Sequence, residues 1–203
     1  MRNMIVGLLA LLTLTGPPAL AQVGSSYRTF RSSGFAKFFG VTTRSRKDLE
    51  DGGTVIHLEP GAHQKEIDIH LTIDRSMQTG SAQLSVARNW VGSADSPNAF
   101  ARDIVKSFVS HVSCDAENED LKEVIEQIWH YKGAGEEVVR TEDAAAEAKA
   151  ASAGGPTPEL QVFLGSSDTS SRTLSGCTLT FTNDKSGKKN WLRVRVEKSK
   201  GAK

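Results

Sequence analysis

Glu66-Ile67-Asp68-Ile69-His70-Leu71-Thr72-Ile73-Asp74 is the stretch that decides the fold. Ile67, Ile69, Leu71 and Ile73 fall on one side of an extended backbone. Glu66, Asp68, His70, Thr72 and Asp74 fall on the other. Strict alternation over nine positions marks a strand with one face in a core and one in water. A single wet face is a property of antiparallel sheets rather than of parallel ones covered by helices on both sides.

Working outward, Val55-Ile56-His57-Leu58 reads as a preceding strand, separated by turn chemistry at Glu59-Pro60-Gly61-Ala62. On the other side, Met77 to Gly80 forms a turn, and Ala82, Leu84 and Val86 define a third strand running towards Trp90. Two helices follow. Asp95-Ser96-Pro97 is a start signal, and Phe100, Ile104, Phe108 and Val112 supply an apolar stripe. The second opens with Asn118-Glu119-Asp120, acids at the positive end of the helix dipole. Its stripe is Leu121, Val124, Ile125, Ile128 and Trp129.

Beyond Pro158, Leu160-Gln161-Val162-Phe163-Leu164 reads as a strand. Cys177, Leu179 and Phe181 alternate with threonines. Across an Asn183-to-Gly187 turn, Leu192, Val194 and Val196 alternate with Trp191, Arg193 and Arg195, giving a hairpin. The expected fold is therefore α+β: an antiparallel sheet of three N-terminal and about three C-terminal strands, packed against two central amphipathic helices. The domain spans residues 54–198, with a flexible Ala-rich insertion at about 134–158 and a tail at 199–203. Residues 22–53 carry aromatic and basic residues without a clean period. They read as a mostly irregular basic arm, with room for a short helix or strand near Phe35–Val41.

Residues 1–21 carry the three parts of a secretory signal. Arg2 is the positive start, Ile5 to Leu14 the apolar run, and Ala19-Leu20-Ala21 the small-x-small site, so cleavage is expected between Ala21 and Gln22. The apolar run is about half of the roughly 20 residues a spanning helix needs. No Cys stands at the cleavage point to carry a lipid. No transmembrane segment is expected in the mature chain, which is read as periplasmic or secreted. In an oxidising compartment the two cysteines, Cys114 and Cys177, form an even pair and so a disulfide.

The chain has 203 residues, with 25 basic against 24 acidic. Arg2 is the one excess, so the mature balance is zero, but the distribution is uneven. Residues 22–47 hold six bases (Arg28, Arg31, Lys37, Arg44, Arg46 and Lys47) and no acid. Residues 184–203, with Arg193 and Arg195 among their eight bases, carry a net +6, and residues 115–147 a net −8. Arg28, Arg31, Lys37, Arg44, Arg46, Lys47, Arg193 and Arg195 are the candidate partner surface, for an envelope protein or an anionic envelope component. Nucleic acid is not expected as a partner, because export removes the chain from it.

Catalytic motifs are sparse. There is no G-x-S-x-G and no glycine-rich phosphate loop. Ser186-Gly187-Lys188-Lys189 matches S-x-x-K by letters but falls in a hairpin turn. The candidates for metal or acid/base work are Glu66, Asp68 and His70 on one strand face, with His57 on the strand before. They lack a fixed ligand spacing such as H-E-x-x-H. No cofactor is expected, and more than one class of function fits. The first is a non-enzymatic binding or accessory factor of the envelope. The alternatives are a metal-dependent or acid/base hydrolase on the His/Asp/Glu face, and a structural or assembly subunit pairing through a sheet edge.

Overall fold

The computed structural model describes residues 22–93, 96–114, 118–130 and 156–199. The expected signal segment 1–21, nearly all of the expected insertion and most of the tail lie outside the described residues, as does much of the acidic stretch 115–147.

The alternating segment forms β3 of a sheet with all strands antiparallel. In chain order the strands are β1 (Thr42–Asp48), β2 (Thr54–Glu59), β3 (Ile67–Ile73), β4 (Thr79–Ala87), β5 (Thr169–Leu174), β6 (Cys177–Asp184) and β7 (Trp191–Lys198). In space they run β1-β2-β3-β4-β7-β6-β5, so two meanders meet where β4 pairs with β7. Ile67, Ile69, Leu71, Ile73, Leu84, Val86, Leu179, Phe181, Leu192, Val194 and Val196 are all fully or nearly fully buried on one face.

The helices are α1 (Tyr27–Ser32), α2 (Gly34–Phe38), α3 (Arg88–Val91), α4 (Ala99–Val112), α5 (Glu119–His130) and α6 (Pro158–Leu164). α4 lies against β4 and β7, and α5 packs on α4 and α6. Most of the two expected stripes joins the core, with Ile104, Phe108 and Val112 from α4 and Leu121, Val124 and Ile128 from α5, while Phe100 and Ile125 are only partly buried against it. Asn98, rather than the expected Ser96 two residues earlier, caps α4 by accepting from the Ala101 amide.

Two expectations are corrected. Residues 22–53 are not an irregular arm: they hold α1, α2 and β1. Ser33 links the two helices, donating through Oγ to the Phe30 carbonyl while accepting from the Ala36 amide. Phe30, Phe35 and Phe39 are core residues, whereas Phe38 stays exposed. Phe35 sits edge-on to Phe30 at 6.0 Å and to Phe108 of α4 at 5.6 Å, and 5.3 Å from Phe39. The second correction is Leu160–Leu164, which is helix rather than strand. Thr157 caps α6, Pro158 opens it, and Gly165 closes it in the left-handed region at φ 83°. The first C-terminal strand is instead β5, five residues further on.

Cys114, just past α4, is disulfide-bonded to Cys177 at the start of β6, with Cα atoms 5.9 Å apart. No helix among the described residues is long and apolar enough to cross a membrane.

Candidate functional site

Because the helices cover one face, the other face of the sheet is open, and strand register decides what stands beside what. Residues paired across an antiparallel ladder project to the same side. Ser45 pairs with His57, His57 with His70, and His70 with Gln83. The line continues from Gln83 to Arg195, Thr180 and Ser171. One straight row of polar side chains thus crosses all seven strands. A second row runs Asp68, Ser85, Arg193, Thr182, Thr169. Over β4, β7 and β6 this face forms a shallow concavity of about 500 Å³, floored by Gln83, Arg195, Thr180 and Thr182 and rimmed by Asp184 to Ser186.

At the β2–β3 end of these rows lies the cluster named from the sequence. His57 and His70 are opposite each other, ring centroids 4.2 Å apart. Asp68 is two residues from His70 on the same face, and its Oδ2 is 2.6 Å from His70 Nε2. That approach is short but not aligned along the ring N–H, and Nε2 has no hydrogen-bond partner. One ligand atom from each of His57, Asp68 and His70 falls within 4.8 Å of the others. Burial works to raise the Asp68 carboxyl, but the contact with His70 and the charges of His70, His57 and Arg44 outweigh it and hold the group below its ordinary value. Arg44 reaches this field from a β-bulge between Thr43 and Ser45 that inserts one residue into β1.

The structure does not bring all the sequence candidates together. Glu66 ends the turn before β3 and is not part of the cluster. Asp74 serves the β3–β4 turn, where its Oδ1 accepts from the Ser76 and Gln78 amides.

The basic candidates divide into two sets. Arg193 and Arg195 on β7 are paired with Asp184 at 2.6 Å and Glu197 at 2.5 Å. Arg28, Arg31, Lys37, Arg44, Arg46 and Lys47 belong to α1, α2 and β1, and all are exposed. Arg31 donates to the Val41 carbonyl, and the Arg46 guanidinium lies 5.3 Å over the Tyr27 ring. None of the six makes an ion pair among the described residues. β1 is four strands from β7, about 19 Å at the usual strand spacing.

One charged group of note went unread in the sequence. Glu159, in the first turn of α6, is 1% exposed. Its carboxylate accepts from Arg172 Nε at 3.2 Å and Nη2 at 3.1 Å, and from Ser170 Oγ at 3.0 Å. Burial tends to raise this carboxyl, but the Arg172 hydrogen bonds, its own backbone amide, the Arg172 charge and Ser170 bring it below the ordinary value. The only sequence signal was a Glu beside the opening Pro of α6, thirteen residues before its arginine.

Comparison with family models, curated proteins and solved structures returned no match for this chain. Its chemistry is therefore read from its own residues.

Proposed function

We propose that this chain is an exported, non-enzymatic binding or accessory protein of the cell envelope, and that it meets an anionic partner along its β1 edge. The export half rests on the tripartite pattern of residues 1–21 together with the Cys114–Cys177 bridge, since disulfides persist in oxidising compartments. The binding half rests on one observation. Of the two basic sets, the β7 arginines are matched by carboxylates, while those of α1, α2 and β1 carry no ion pair among the described residues. Unneutralised charge on an exposed edge is what an anionic surface attracts, at about 1 kcal/mol for each Lys or Arg close to it. The open sheet face beside it, rich in hydroxyls, supplies hydrogen-bonding groups to the same partner.

Sedimentation with vesicles containing phosphatidylglycerol, and pull-down with an acidic polypeptide such as polyglutamate, test this with two kinds of anion. Arg44→Glu, Arg46→Glu and Lys47→Glu together are expected to weaken binding more than 100-fold, since losing three positive charges is worth about 3 kcal/mol and reversing their sign adds to it. Arg193→Gln with Arg195→Gln is expected to change it less than about twofold, because those charges are already neutralised. Raising salt well above physiological strength is expected to release the partner, as screening shortens the reach of surface charge. Binding that ignores both the β1 reversal and salt would sink the electrostatic reading.

A further inference from the structure

The His57, Asp68 and His70 cluster has a feature that a solvated strand face does not require: three metal-ligating side chains brought within reach of one another by the strand register. His57 and His70 are held opposite by the β2–β3 ladder, and Asp68 is fixed two residues along β3. Beneath them Ile56, Leu58, Ile67, Ile69 and Leu71 are buried, so the backbone carrying the ligands is pinned by the core. The three ligand atoms already lie within 4.8 Å of one another. Ligands of one zinc ion, bound at about 2.0–2.2 Å each, sit roughly 3.3 Å apart, so small side-chain rotations close the site without moving a strand. His70 Nε2, shielded from solvent, already lies 2.6 Å from the Asp68 carboxylate, so two of the three ligand atoms are in contact.

We propose that His57, His70 and Asp68 form a binding site for one divalent late transition metal of the zinc class, open to solvent on the sheet's polar face. Two imidazoles and a carboxylate select zinc, nickel or copper over magnesium and calcium, which prefer all-oxygen shells. Three protein ligands leave at least one coordination position free. That position faces the open side of the sheet, where water or a donor atom from a bound partner fills it. Arg44, close enough to act on Asp68, opposes the ion's charge and keeps the site weaker and more exchangeable than a structural zinc site.

The test is a titration of the folded, disulfide-bonded protein with Zn2+ by calorimetry, together with Cu2+ electron paramagnetic resonance. The expected result is one equivalent bound, with nitrogen hyperfine structure from two imidazoles in the copper form. His57→Asn and His70→Asn should each weaken binding at least tenfold, and the double variant should abolish it, with an unchanged circular dichroism spectrum showing that the fold survives. Arg44→Ala should strengthen binding several-fold, a direction that a merely structural role for the cluster would not produce. Absence of saturable binding, or one-site binding that survives in the double variant, would overturn the proposal. So would several weak equivalents insensitive to all three variants. The anionic-partner reading does not depend on this result, since its probes contain no metal and the histidine variants leave every β1 charge in place.

Discussion

At the scale of single residues, the most consequential charge in the fold is the one hidden from solvent. Glu159 is enclosed at the start of α6 and held by Arg172 and Ser170. Arg172 also reaches Asp120 of α5 at 3.6 Å, so one guanidinium joins α5, α6 and β5. Removing the Glu159 carboxylate costs its hydrogen bonds while Arg172 keeps Asp120 nearby, and Glu159→Ala is expected to cost about 2–3 kcal/mol in urea unfolding at neutral pH. The pH dependence has a definite sign. A carboxyl held low in the fold stabilises it above the unfolded value near 4.3, and that stability is lost as pH falls through the folded value. Acid unfolding monitored by tryptophan fluorescence should be shallower below about pH 4 in Glu159→Gln than in the parent. The sequence shows why this pair stays hidden and the His/Asp cluster does not. Asp68 and His70 share a strand whose period is visible, and His57 lies one hairpin away. Glu159 meets Arg172 only once α6 has packed on β5, and no local pattern announces that.

At the scale of elements, legibility followed length and period. β3 has seven residues of strict alternation, and β6, β7, α4 and α5 run through whole periods of their type, so each was readable. α1 and α2 have six and five residues, too few to repeat a helical face, and their identity is set by Phe30, Phe35 and Phe39 finding Phe108 and Phe100. α6 does not declare itself, because four apolar residues in the five positions Leu160–Leu164 fit a strand and a helix equally. Its arbiters, Thr157, Pro158 and Gly165, stood at the two ends and outweighed the run. β5 carries only one large apolar residue, Leu174, which is why a polar edge strand there left no trace in the pattern. Ser33 illustrates how much a short element leans on its cap. It is fully buried and serves both α1 and α2. Ser33→Ala is expected to lower stability by about 1–2 kcal/mol, seen as a lower thermal midpoint. The β1 edge binding surface should weaken with it, because α1 and α2 carry Arg28 and Lys37.

At the scale of the whole molecule, a total charge of only +1 conceals a paired centre and a basic edge that makes no ion pair among the described residues. The bridge between Cys114 and Cys177 ties the end of α4 to the first residue of β6 across a separation of 63 residues. In the chain-entropy account it contributes roughly 4 kcal/mol, and unfolding of Cys114→Ala/Cys177→Ala in urea is expected to show a loss of that order. The pairing of β4 with β7 has a kinetic consequence. β7 is the final strand in the described chain, yet it occupies an interior place between β4 and β6. Until residues 191–198 emerge, both neighbours present raw edges, and more than a hundred residues separate β4 from the strand that completes it. A polypeptide arranged in this order postpones the closure of its sheet until β7 has been made. Delay of that kind leaves the chain threadable until then, which suits the export proposed above.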